Sequence, residues 1–341
     1  MRVLAPLFAR LFSRLFAPSL ALLLSACANA PALLPGFQRS VHFDEQRLEL
    51  QVNDGVRLLY LAPPRLDPAK PTRLLAFALP NGNSIEQTLG ARLEPGLDWH
   101  YDIQHVGAQW RRLRELGSSG EENLVLVLME ARGLSWPAWR RAHPQDANAR
   151  IAEVVAHLAD PLPGPVRIDL MAHSGGGGLI FGLMEQAPIP PAIDRIALLD
   201  ANYNFEASAG HGRRLLDWLD GDARRQLVVI AYDDRNIQID GKPVIGPTGG
   251  TWRASHRMLD FLAPLRPMSL EEDADWLRRR SGDGRIAFFL HRNPDNKILH
   301  TRLVGEMNGV LLSALLGRPE GKTWQRFGGP RDYEAWVQPR P

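Results

Sequence analysis

The chain has 341 residues, 45% of them hydrophobic and 23% charged, and a formal net charge of +2. This is ordinary globular composition, enough for one large domain or two small ones with a sizeable buried core. Residues 1–26 carry Arg2, Arg10 and Arg14 and no acid, so the remainder would hold a charge of about −1. Nothing in that balance points to a nucleic-acid partner.

The first segment, MRVLAPLFARLFSRLFAPSLALLLSAC, joins an arginine-bearing start to an apolar stretch and small residues before a cysteine. That is secretory signal architecture, too short and interrupted for a stable membrane span. Leu24-Ser25-Ala26-Cys27 resembles the bacterial lipobox, whose cysteine is lipidated and becomes the first mature residue. The resemblance implies a signal peptide over 1–26, a lipid anchor on Cys27 and a tether over 27–40. Ala28 rather than Asp follows the cysteine, which by resemblance to lipoprotein sorting implies the outer membrane. Cys27 is the only cysteine, so no intrachain disulfide supports the fold.

From residue 41 onward, short apolar runs predict eight strands, at 47–52, 56–62, 73–79, 123–129, 166–172, 195–200, 226–233 and 285–291. Helical patterns separate them at 106–116, 147–159, 212–219 and 303–316. Alternation of this kind, with near-continuous apolar strands, predicts an α/β fold built on a mostly parallel sheet covered on both faces. The long insertion over 236–284 carries TWRASHRMLDFLAPL and SLEEDADWLRRR, read as two extra helices placed to cap a site.

The most informative stretch is VRIDLMAHSGGGGLIFGLM, residues 166–184, where a strand pattern meets a helix pattern through a serine and four glycines. Glycines inside a helix each cost about 1 kcal/mol against alanine, so their clustering points to a demand for clearance. The turn Ala172-His173-Ser174-Gly175-Gly176 resembles the nucleophile elbow of the α/β-hydrolase superfamily, with Ala172 where that motif has its first glycine. A phosphate-binding turn is the competing reading. It needs its glycines early in the chain and an acid ending the next strand, whereas this turn follows the fifth strand and Asp194 precedes the sixth.

The resemblance implies that Ser174 is a nucleophile, and a serine needs a base and an orienting acid later in the chain. His300, between the last strand and the last helix, is the expected base, with His291 its competitor. The acid is expected at Asp234 in AYDDRN, with Asp233 and with Asp200, which ends the sixth strand, as alternatives. The oxyanion donors are expected to be the backbone N–H groups of Gly175 and of Asn83 in ALPNGNSIEQ, where a helix rather than a hairpin strand should follow Gly82.

Asp98, His100, Asp102 and His105 in DWHYDIQH are metal-ligand types, but their spacing matches no metal signature and no metal is expected. Trp99, Trp136, Trp139 and Trp252 could line a cleft, although core packing is the default for tryptophan. The sequence therefore reads as a cofactor-free serine hydrolase of the bacterial cell envelope, esterase or lipase in type, acting on a small-molecule or lipid-like acyl substrate. An amidase or peptidase with the same triad and a non-catalytic binding lipoprotein of the same fold are the alternatives, since superfamily membership does not fix the substrate.

Overall fold

The computed structural model describes residues 32–117, 120–318 and 328–341. The leader and Cys27 lie outside the described residues. Among those described, no helix is long and apolar enough to cross a membrane.

The central strands follow from apolar runs that leave no polar face. Strand β4 (Thr72–Ala78) is buried at every residue, while β2 (Gln46–Val52), near the sheet edge, is half-exposed along most of its length. The other strands are β1 (Gln38–Arg39), β3 (Val56–Ala62), β5 (Asn123–Glu130), β6 (Val166–His173), β7 (Ile193–Leu199), β8 (Gln226–Tyr232), the short hairpin β9 (Gln238–Ile239) and β10 (Lys242–Pro243), β11 (Met268–Glu272), β12 (Trp276–Ser281) and β13 (Ile286–His291). They form an eleven-stranded sheet in the order β1-β2-β3-β5-β4-β6-β7-β8-β13-β12-β11, with the β9–β10 pair apart. Strands β5, β4, β6, β7, β8 and β13 run parallel, and β1–β3 and β11–β12 extend the two edges in antiparallel pairing. All eight expected strands lie in the body of this sheet, and the fold is the α/β-hydrolase arrangement.

Alternate residues of each central strand feed two cores. Leu74, Ala76 and Ala78 pack under α3 (Trp136–Ala142), α4 (Ala147–Ala156), α5 (Gly177–Gln186), α6 (His211–Asp220) and α7 (Thr251–Leu262). Leu75, Phe77 and Leu79 face α1 (Ile85–Leu89), α2 (Val106–Leu116) and α8 (Gly309–Leu315). Parallel pairing puts the loops that follow β4, β6, β7, β8 and β13 at one end of the sheet. At the other end, buried Arg73 and Arg195 donate to the carbonyls of Ala314, Ser313 and Leu316 at the end of α8, at 2.6–2.8 Å. Asp169, also buried, pairs with both guanidinium groups. Burial holds Arg195 down to about 9.

The insertion departs from its expected form. Residues 251–262 are helical as α7, but α7 packs Met258, Leu259 and Leu262 into the sheet core. SLEEDADWLRRR is a β-hairpin, not a helix. Its turn is set by the Asp273 carboxylate, which accepts from the N–H groups of Asp275 and Trp276 at 2.9 and 2.8 Å. Backbone pairing of β12 with β13 then outweighs the helical propensity of Leu, Glu and Arg. The last helix is also shorter than expected, since Asn308 takes a left-handed φ of 59° and α8 starts only at Gly309.

Candidate active site

Ser174 lies at the end of β6, where the chain turns through a short 3₁₀ segment into α5. Its φ is +54°, a left-handed conformation that costs a residue with a Cβ and persists only where neighbours enforce it. The enforcing contacts are on either side of the glycines. A Cβ on Gly176 would stand 2.2 Å from the carbonyl oxygen of Ala78, and one on Gly177 would stand 1.9 Å from that of Ala201. Here glycine lets the turn pass between the ends of β4 and β7. Gly178 meets Pro137 only at 3.4 Å, so its demand is weaker.

The loop after β13 brings His300 to this turn. The imidazole rings of His173 and His300 are 4.6 Å apart, and His173 precedes the serine. His173 is fully buried and acts as a clamp: its Nε2–H donates to the His300 carbonyl oxygen at 3.0 Å, while its Nδ1 accepts from Gln104 Nε2 at 2.7 Å. Burial, then the nearby His300, push the His173 pKa well below its usual value, so it serves as a neutral donor.

His300 Nδ1–H donates to Asp200 Oδ2 at 2.5 Å, which leaves Nε2 of a partly exposed ring for other work. Asp200 follows β7 directly, is completely buried, and takes a φ of +48°. Its second oxygen accepts from the Thr251 hydroxyl. The two strained positions, Ser174 and Asp200, thus bracket one histidine. The pairing expected between His300 and Asp234 is replaced by this one.

Asp234 lies one threonine away. Its Oδ2 accepts from the Thr251 N–H at 2.8 Å, at the start of α7, and stands 3.5 Å from the Thr251 hydroxyl, while its Oδ1 is buried without a partner. Burial, reinforced by the Asp200 charge, raises the Asp234 pKa to about 6. Asp233 is ion-paired with Arg235 at 2.5 Å, and His291 accepts from the Asn293 N–H at 2.9 Å within its own turn. Neither belongs to the Ser174 cluster.

In the loop after β4, Gly82 has a φ of +79° and its N–H donates to the Leu134 carbonyl oxygen at 2.8 Å. The expected helix follows as α1, closed by a reciprocal capping box between Ser84 and Gln87. Asn83 is buried, with its Nδ2 unpartnered. The side chain of this loop that touches Gly175 is that of Asn81. Tyr203, after β7, interacts with the Ser174 hydroxyl, and burial, then Asp200 and Asp234, push its phenol well above the usual range.

Asp98, His100, Asp102 and His105 do not converge. His100 pairs with Asp98 at 2.8 Å and His105 with Asp102 at 2.7 Å, the latter also held by Arg331. Trp136 and Trp139 are core residues, and Trp99 stacks on His100. Sequence reading did not single out His173, Gln104, Thr251, Tyr203 or Asn81. Only His173 and Asn81 adjoin motif positions, and adjacency to the serine and to Gly82 was the signal that could have found them.

No protein-family model and no curated protein matches the chain. Among solved structures, it is similar to the siderophore hydrolase EstB from Aspergillus nidulans, with 12% identity over 87% of this chain and 99% of that one and a TM-score of 0.43. A feruloyl esterase module from Clostridium thermocellum is 9% identical over 72% of this chain and 80% of that one, with a TM-score of 0.45. Oligopeptidase B from Leishmania major is 10% identical over 75% of this chain and 33% of that one, with a TM-score of 0.36. Likenesses this distant say nothing of this chain's substrate.

Proposed function

We propose that this chain is a serine hydrolase that cleaves an ester, of carboxylesterase or lipase type, through Ser174, His300 and Asp200. The observation that carries the reading is a serine held at φ +54° on a strand-to-helix turn, beside a histidine whose Nδ1–H is fixed by a buried aspartate at 2.5 Å. Ser174 Oγ attacks the acyl carbonyl as His300 Nε2 accepts its proton. The negative oxygen of the tetrahedral intermediate is met by the Gly175 N–H, with the Asn83 N–H as the second backbone donor. Collapse expels the alcohol, protonated by His300, and leaves an acyl-Ser174 ester. Water, deprotonated by His300, attacks that ester and frees the acid. Asp200 accepts from the His300 Nδ1–H throughout, holding the imidazole in one tautomer and stabilising it when charged.

The lipobox resemblance of residues 24–27 supports a lipid on Cys27 and a place in the bacterial cell envelope, at the outer membrane facing the periplasm. The acyl substrate would then be a small molecule or a lipid-like ester. The test is a fluorophosphonate probe on the purified chain, with the adduct mapped by peptide mass spectrometry. Labelling at Ser174, lost in Ser174→Ala, is the expected result. A folded wild-type protein that resists the probe and turns over no short-chain ester would refute the reading, whereas anilide cleavage faster than ester cleavage would shift it to an amidase.

A further inference from the structure

We propose that the side-chain carboxamide of Asn81 is a third donor to the oxyanion, beside the two backbone groups. The inference rests on the hydrolase reading of Ser174. Its observation is a close approach: a Cβ on Gly175 would stand 2.0 Å from Asn81 Oδ1, 2.4 Å from its Cγ and 2.7 Å from its Nδ2. The carboxamide therefore lies against the residue whose N–H is the first oxyanion donor, in space that only a glycine leaves open.

Asn81 is also free to act. It is exposed, and no hydrogen bond to its side chain occurs among the described residues. The loop around it is fixed by other means. Pro80 restricts the backbone on one side, and the Gly82 N–H is tied to Leu134 on the other. A carboxamide on a loop whose backbone is fixed, without competing partners, can turn its N–H to a developing oxyanion, and the worth of such a donor appears in the transition state. The step is unchanged in its bonds: as the serine oxygen bonds to the carbonyl carbon, the π electrons move to oxygen, and an Asn81 N–H donates to it without giving up its proton.

The ground-state carbonyl carries less charge than the oxyanion, so the loss should fall on kcat rather than KM. In the full chain, with an ester that the wild type turns over, Asn81→Ala should lower kcat by roughly 100- to 1000-fold and change KM little, the range for one oxyanion donor. Affinity for a boronic acid transition-state analogue should fall in parallel. Asn81→Asp, which keeps the shape but brings a like charge, should fall at least as far. A thermal melt matching the wild type for either variant shows that the fold is kept. Turnover of Asn81→Ala within twofold of wild type, or a loss confined to KM with analogue affinity intact, would overturn the proposal. If the wild type itself resists fluorophosphonate, the hydrolase reading fails and takes this one with it; a labelled Ser174 with an indifferent Asn81 overturns this one alone.

Discussion

Asp234→Asn should raise stability, and should do so only above the pH at which the wild-type carboxylate ionises. Asp234 is 2% exposed, has one oxygen without a partner, and shares Thr251 with a second buried carboxylate, Asp200. Its pKa is raised from 3.8 to about 6 by burial first and by the Asp200 charge second. A raised carboxylate means that the folded chain keeps a proton that the unfolded chain has released, so this contribution is fully present below about pH 4 and is lost as pH climbs through about 6. A shift of about 2 units corresponds to at most about 3 kcal/mol, and to about 1–3 kcal/mol once residual solvation is allowed for. An asparagine still offers its Oδ1 to the Thr251 N–H but carries no charge at any pH. At pH 8 the variant should therefore melt roughly 1–6 °C above wild type, taking about 1–2 °C per kcal/mol for a chain of more than 300 residues. At pH 4 the two should coincide. Differential scanning calorimetry of both proteins across pH 4–8 reads the difference directly. An equal gap at both ends of the range, or a less stable variant at pH 8, would refute the account of Asp234 as an ionised, unpaired burial.

The same pair separates the two acids in function: Asp200→Asn should lower kcat by about 10³- to 10⁴-fold, as loss of the tautomer-fixing carboxylate does elsewhere, whereas steady-state assay of Asp234→Asn should find a change within about fivefold. At the opposite end of the sheet, Asp169→Asn should cost about 3–5 kcal/mol in denaturant unfolding by leaving Arg73 and Arg195 buried without their anion, yet leave kcat unchanged at a temperature where the protein is folded. Cys27→Ser should abolish metabolic labelling by a clickable palmitate analogue and block normal leader removal, whereas an ordinary secretory signal in place of the leader should give a soluble enzyme of unchanged activity; an unlabelled wild type would remove the anchor.

The sheet was legible because its strands carry the signal locally. Runs such as LLAFA at 74–78 are buried on both faces, so every residue is apolar and no helical period competes. The elbow was legible for the opposite reason: glycines at 176 and 177 make no sense for a helix, and the carbonyls of Ala78 and Ala201 supply the steric cause. The hairpin at 268–281 was not legible. Its sequence has good helix formers, and what decides it is a side-chain turn at Asp273 together with an open edge on β13, which lies beyond any local window.

The triad acid shows where chain order stops being informative. Asp200 and Asp234 follow β7 and β8, adjacent parallel strands that end at the same side of the sheet, so both arrive within reach of the loop bearing His300. Sequence order is satisfied by either. The choice is made by backbone angle and by a helix start. A φ of +48° turns the Asp200 side chain to His300. The glycine at 250 lets α7 begin against Asp234, since a Cβ there would meet its carboxylate at 2.5 Å. The N-terminal amide of Thr251 then takes Asp234, while the hydroxyl of the same residue steadies Asp200. One threonine thus spends its backbone donor on the acid that caps the helix and its side-chain donor on the acid that holds the base. Thr251→Val should accordingly leave α7 and the fold in place but lower kcat, because the Asp200 oxygen turned away from His300 loses the hydroxyl that steadies the carboxylate. An unaltered kcat in a folded Thr251→Val protein would mean that Asp200 is held by the histidine alone.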